Sequence, residues 1–158
     1  MTGKTIMIVD DDRGFAQSLA NMLGASGYRT CVSYDPASAL ALAEQFRSDQ
    51  DKLDFYRGIY GVWGGTDPRA ALDHAKSNFM AGLLRSETIG IAVNKWGSKD
   101  PRGAWLWVEQ HLSGPLKDQA LNDLIIGWSR QTPTVAAKWL ESTNYYSQPL
   151  FHAVATTW

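Results

Sequence analysis

The sequence predicts an α/β segment at the start of the chain and an all-α region over the rest of it. In residues 1–46, short apolar runs alternate with stretches of helical periodicity, which is typical of β-α-β-α units. In residues 47–158, no stretch has convincing strand character, and a pattern of tryptophan and proline recurs. We therefore predict a truncated β-α-β-α unit, residues 1–46, packed on a solenoid-like array of helical hairpins, residues 47–158.

The front segment is predicted to hold two parallel strands, each followed by a helix. Residues 5–9 are a short apolar run, as expected of a strand covered on both faces, and residues 28–34 form a second short strand. Apolar residues at helical spacing lie between the two strands. Asp35 can cap the next helix, and Pro36 suits its first position. Short connections between these elements predict a right-handed parallel crossover.

Three stretches of the rear region share one pattern: tryptophan, four residues, proline, two residues, alanine. The tryptophan and proline pairs are Trp63 with Pro68, Trp96 with Pro101, and Trp128 with Pro133, so the prolines stand 33 and 32 residues apart. Asp or Thr precedes each proline, and these residues favour the N-cap of a helix that begins at the proline. Each stretch is therefore predicted to join two helices by a tight turn, and such a period is typical of helix-hairpin solenoids.

The tryptophans of this region are predicted to pack between helical layers, with an aromatic binding groove as the alternative. Trp105 and Trp107 are two residues apart and must point to different faces of their helix, so one of them is expected to be exposed or to face a partner. Together with Trp139, they form the candidate interaction surface. The three stretches resemble a Trp/Asp-Pro helical repeat of bacterial proteins of unknown role, which implies an architecture and no chemistry.

The front segment reads Ile-Met-Ile-Val-Asp-Asp-Asp at residues 6–12 and Asp-Pro-Ala-Ser-Ala-Leu at residues 35–40. These stretches resemble the opening half of the receiver domain of bacterial response regulators. The resemblance implies an Mg²⁺ site at Asp10 and Asp11, whose hard carboxylate oxygens suit that ion. The alternative, which we prefer, is that these acids only favour the N-terminus of the following helix through its dipole.

The remaining parts of a receiver site are missing from the sequence. By distance along the chain, the phosphoacceptor aspartate would be Asp54, yet Gln-Asp-Lys-Leu precedes it where a buried third strand should be apolar. The family's proline shortly after the acceptor is absent, and no Ser or Thr follows a fourth strand. No lysine at the end of a fifth strand precedes proline. Asp54 is therefore a positional candidate only.

Composition argues against several classes of function. The net charge is −1 and no cluster of Lys and Arg occurs, which argues against a nucleic-acid partner. The single cysteine, Cys31, excludes an internal disulfide and a cysteine-only metal site. No apolar run approaches the roughly 20 residues that span a bilayer, and the start lacks a signal-peptide core. We therefore expect a cytoplasmic protein without a membrane partner.

The expected function is a non-catalytic signalling or protein-interaction module, in which the repeats bind a protein partner and the receiver-like fragment is a cap. No catalytic motif is present, so an enzyme with a Trp-lined groove ranks last, and we expect no cofactor, with Mg²⁺ as the alternative. One alternative is a phosphorelay receiver phosphorylated on Asp54, and another is a natural or artificial chimera without selected activity. A sheet of only two strands has open edges. We therefore expect that the first repeat helices cover an edge of this sheet, or that the edge pairs with a strand of a second copy in a homodimer.

Overall fold

The computed structural model describes residues 5–43, 46, 48–80 and 82–143. Within these residues, two short strands alternate with two helices, and only helices follow. This order agrees with the predicted α/β start and all-α continuation. The chain divides into two compact units, Met1–Ile59 and Tyr60–Trp158. The division falls inside a helix, whereas the sequence changes its character after Phe46, shortly before that helix begins.

The first unit begins with a parallel pair of strands and two helices. These elements are β1 (Thr5–Val9), α1 (Arg13–Ala25), β2 (Arg29–Ser33) and α2 (Pro36–Leu42). Strand β1 has the predicted bounds, and β2 is one residue shorter at each end than predicted. The strands pair in parallel with Ile8 opposite Val32, as the short crossover through α1 predicts.

Helix α1 packs on one face of this small sheet. Ala16 and Ala20 are buried together with Ile8, and Ile6 and Val32 pack against them. The small alanine side chains let the helix lie close to the strands, so this face of the sheet carries a hydrophobic cluster of the unit.

Aspartate side chains cap both helices that follow the strands. The Oδ1 atom of Asp12 accepts a hydrogen bond from the N–H of Phe15 at 2.9 Å, so α1 begins beside it. Asp35 accepts from the N–H of Ser38 at 2.7 Å, and Pro36 is the first residue of α2, as predicted. Hydrogen bonds from the side chain and N–H of Ser38 hold the pKa of Asp35 below its usual range.

The rest of the described chain is helical. Its helices are α3 (Asp49–Thr66), α4 (Pro68–Asn78), α5 (Leu83–Gly97), α6 (Pro101–His111), α7 (Gly114–Ser129) and α8 (Pro133–Thr143). The apolar residues 89–93 lie inside α5, as predicted, and do not form a strand. We call α3, α5 and α7 the first helices, since each ends just after a tryptophan, and α4, α6 and α8 the second helices, since each begins at a proline.

The three Trp-Pro turns share the same hydrogen bonds. In each turn, the tryptophan carbonyl oxygen accepts the N–H four residues later, at 2.8–3.1 Å: Trp63 with Asp67, Trp96 with Asp100, and Trp128 with Thr132. Asp67 and Asp100 then accept N–H groups of the next helix with their side chains, at 3.1 and 2.9 Å. These bonds satisfy donors at a helix start that would otherwise lack a partner. The helix ends and starts therefore fall where the tryptophan and proline pattern predicts them.

The buried positions of the helices recur with the same spacing. Residues three positions before each tryptophan are fully buried: Tyr60, Val93 and Ile125. Residues three positions after each proline are fully buried alanines: Ala71, Ala104 and Ala136. Alanine at these positions permits a close approach between neighbouring helices, as the sequence predicts.

Helices α5 and α7 approach each other so closely that glycine is required between them. A Cβ atom on Gly127 would collide with the carbonyl oxygen of Asn94. A Cβ atom on Gly97 would lie 2.8 Å from the carbonyl oxygen of Leu124. The side-chain amide of Asn94 also donates a hydrogen bond to the carbonyl oxygen of Asp123 at 2.8 Å, which ties α5 to α7. This contact is made between backbones, so no change of rotamer could make room for a larger side chain.

We predict that Gly127→Ala lowers the free energy of unfolding by about 3 kcal/mol, near the upper end of overpacking costs, because the added methyl group meets a backbone carbonyl. Gly61→Ala is the matched control, since a Cβ there meets only Ile91 at 4.0 Å. That change should raise the free energy of unfolding by up to about 1 kcal/mol through helix propensity. Urea unfolding of both variants measures the difference, and similar effects of the two changes would contradict the close approach.

Candidate functional site

A groove of about 510 Å³ lies between the neighbouring first helices α5 and α7. Its polar lining consists of Glu87, Asn94, Lys95, Gln119, Asp123 and Arg130. These residues lie along one face of each helix, because side chains that are three, four, seven or eight positions apart share a face. The groove therefore presents two facing rows of charged and amide groups.

Asp123 is the most perturbed group in this groove. Its carboxylate lies against Gly90 of α5, where a side chain on Gly90 would collide with it. Burial in the groove, and next the negative charge of Glu87, raise the pKa of Asp123 to about 6. The half-buried carboxyl group is therefore able to change its charge close to neutral pH.

Charge varies along the length of the groove. Glu87 and Asp123 supply the negative charge, and Lys95 and Arg130 lie nearer the C-terminal ends of α5 and α7. At a rise of 1.5 Å per residue, Lys95 lies roughly 12 Å along α5 from Glu87. An elongated ligand in the groove would therefore meet an acidic stretch followed by a basic one.

The acids after β1 have a structural role in the described chain. The Oδ1 atom of Asp10 accepts the N–H of Asp12 at 2.9 Å, and Asp11 is exposed. Asp12, which the sequence analysis did not single out, is the N-cap of α1. Among the described residues, no group of three or more acidic, histidine or cysteine side chains is placed to hold a metal ion. An Mg²⁺ site at Asp10 and Asp11 therefore stays a prediction.

Asp54 lies on α3, and the residues around it form a helix in place of the third strand of a receiver. Its carboxylate makes an exposed ion pair with Arg57 at 3.1 Å and accepts a hydrogen bond from Gln50 at 3.0 Å. A phosphoacceptor in a receiver follows a buried strand, and Asp54 does not. We interpret Asp54 as a solvated helix acid.

The tryptophans of the candidate interaction surface pack against other aromatic rings. Trp107 is only 5% exposed, and its ring stacks on His111 with centroids 4.7 Å apart. Trp105 and Trp139 are partly buried and meet edge to face at 4.3 Å. Trp139 also contacts Trp128 at 5.4 Å. The contacts of Trp139 with Trp105 and Trp128 connect α6, α7 and α8, whereas Trp107 is buried and stacks on a residue of its own helix.

Sequence reasoning did not identify the groove between α5 and α7. A signal is nevertheless present, because Asp123 lies beside the apolar stripe formed by Leu121, Leu124 and Ile125. Gln119, four positions before Asp123, continues the polar row along the same face. The partner row on α5 follows only from the packing of the two helices.

Comparisons of the chain with protein-family models, curated proteins and solved structures find no match. Among the residues that the structure describes, no helix combines the length and the apolar character needed to cross a membrane.

We predict that protonation of Asp123 stabilises the folded chain. Because its pKa rises from 3.8 to about 6 on folding, the folded state binds more protons than the unfolded state between these values. As the pH rises from about 4 to about 7, this group should lower the free energy of unfolding by about 1–2 kcal/mol, less than the full shift implies because solvent screens a partly exposed carboxyl. Urea unfolding over this pH range measures the effect.

The variant Asp123→Asn should lack this part of the pH dependence. Its free energy of unfolding should therefore increase relative to that of the wild type as the pH rises. Asp118→Asn changes an exposed acid on the same helix and is the matched control, with the wild-type profile expected. Identical pH profiles for the wild type and Asp123→Asn would contradict the burial of this carboxyl group.

Proposed function

We propose that this chain is a non-catalytic protein-interaction module, whose helical hairpins stack as repeats and whose binding surface is the groove between α5 and α7. One observation carries the proposal: charged and amide groups line a groove between helices whose backbones are in contact. Polar groups that converge in a preformed cleft are typical of binding sites.

The rigidity of the groove supports a binding function. Gly97 and Gly127 bring the two backbones together, and the hydrogen bond from Asn94 to the carbonyl oxygen of Asp123 fixes their register. A surface that is already ordered loses little conformational entropy when it binds. The two rows of polar groups therefore need no rearrangement to face a ligand.

The charges of the groove indicate what kind of segment it would take. Glu87 and Asp123 favour a basic residue in the partner, and Lys95 and Arg130 favour an acidic residue roughly 12 Å further along. An extended or helical peptide segment with opposite charges at that separation satisfies both. We therefore propose a polypeptide partner.

The first unit would serve as a cap in this proposal. The position of Asp54 on an exposed helix surface, in an ion pair with Arg57, does not favour the alternative of a phosphorylated receiver. Within the described chain, β1 and β2 pair with each other, and pairing of a strand edge in a homodimer stays a prediction.

A selection of displayed random peptides on the wild-type protein tests the proposal. We expect enriched peptides to carry a basic and an acidic residue at the separation given above. Their affinity should fall at least tenfold in the double variant Lys95→Glu, Arg130→Glu, because two favourable charge contacts become repulsive. Fluorescence polarisation with labelled peptides measures the affinities.

The control for this selection is the double variant Arg102→Glu, Lys138→Glu. It changes the net charge by the same amount at exposed positions on α6 and α8, away from the groove. Peptides should bind this control as they bind the wild type. Equal losses in the two double variants, or a selection without enrichment, would overturn the assignment of the groove.

A further inference from the structure

A second, smaller pocket of about 260 Å³ lies where α5 and α7 begin. It is lined by Gly82, Arg85 and Ser86 from α5, and by Pro115, Leu116 and Gln119 from α7. Gln119 also lines the larger groove, so this pocket is at the N-terminal end of that groove. The two helix N-termini therefore open onto one cavity.

Neither of these helices has a side-chain cap. The N-cap of α5 is Gly82, which has no side chain, and Ser113 at the N-cap of α7 makes no capping hydrogen bond. The second helices α4 and α6, by contrast, are capped by Asp67 and Asp100. The first N–H groups of α5 and α7 thus keep their hydrogen-bonding capacity and the partial positive charge of a helix start.

Arg85 adds a full positive charge to the same cavity. It lies in the first turn of α5, where a cation is unfavourable because the helix dipole is already positive there. Its Nε atom is buried and has no hydrogen-bond partner, although an unmet donor on a charged group is costly. No acidic side chain lines the described walls of the pocket, so nothing in them offsets this charge.

We propose that this pocket binds a phosphate or sulfate group. A tetrahedral oxyanion offers several acceptor oxygens, enough for the Arg85 guanidinium and for N–H groups of α5 and α7 together. It would cap both helices and neutralise the charge of Arg85 in one step. The bound group can be a free ion or part of a phosphorylated residue. The proposal rests on Arg85 and the two helix starts, and it does not depend on the proposed function.

Nuclear magnetic resonance titration of the ¹⁵N-labelled full chain with inorganic phosphate, at constant ionic strength, tests the pocket. Saturable shifts should be concentrated in the amides of Leu83, Leu84, Arg85 and Leu116, at the two helix starts. A phosphoserine peptide that binds tighter than inorganic phosphate would assign the pocket to a phosphorylated partner, and weaker or equal binding would assign it to the free ion. Absence of saturable shifts at these amides, or shifts spread evenly over the chain, would overturn the proposal.

Arg85→Gln should weaken phosphate binding at least tenfold. Its matched control is Arg102→Gln, which removes the same charge from the exposed first turn of the Asp-capped helix α6 and should leave the affinity unchanged. Equal affinities in the wild type and Arg85→Gln would contradict the role of Arg85.

A second variant keeps the test decisive if Arg85→Gln does not fold. Ser113→Asp supplies a carboxylate cap to α7, which should preserve or raise the melting temperature. That carboxylate would compete with phosphate for the same N–H groups and repel it, so the affinity should fall. Unchanged phosphate affinity in a folded Ser113→Asp variant would also overturn the proposal.

Discussion

The backbone contact between α5 and α7 is the constraint on which the second unit depends. Gly97 and Gly127 allow it, since a Cβ atom at either position would meet backbone atoms of the other helix. Two consequences follow from this single contact. It places the polar rows of both helices on opposite sides of one groove, and it brings their N-termini to the same pocket. The groove and the pocket are therefore both formed by the packing of α5 on α7. The same packing buries apolar side chains on other faces of these helices.

The Trp-Pro turn explains why the two sets of helices differ at their starts. Each turn leads directly into a second helix, whose N-cap precedes proline, and the aspartate in two of these turns satisfies the first N–H groups. The first helices α5 and α7 follow other connections, and their caps, Gly82 and Ser113, leave those groups free of side-chain acceptors. The starts of α5 and α7, which lack side-chain caps, thus both lie on the layer of first helices. The same layer carries the groove.

Local signals in the sequence predicted much of the fold. The strand pair and the helix starts were predicted from the apolar run at residues 5–9, the capping residue Asp35 and the three prolines. Such local signals suffice because strand pairing over a short crossover and helix starts depend on neighbouring residues. The sites were not predicted, because Asp123 and Arg85 gain their properties from contact with a helix about 30 residues away in the chain. Resemblance to receivers drew attention to Asp10 and Asp11, whereas the residue that caps α1 is Asp12.

Native-state hydrogen exchange tests the central claim, that the contact of α5 with α7 is the most stable part of the second unit. Amides of buried, tightly packed segments exchange only through large-scale opening. The account predicts that the slowest amides in this unit lie in residues 89–93 and 121–125, which include Ile89, Val93, Leu121 and Ile125, all fully buried. Slower exchange in α6 or α8 than in these two segments would contradict it.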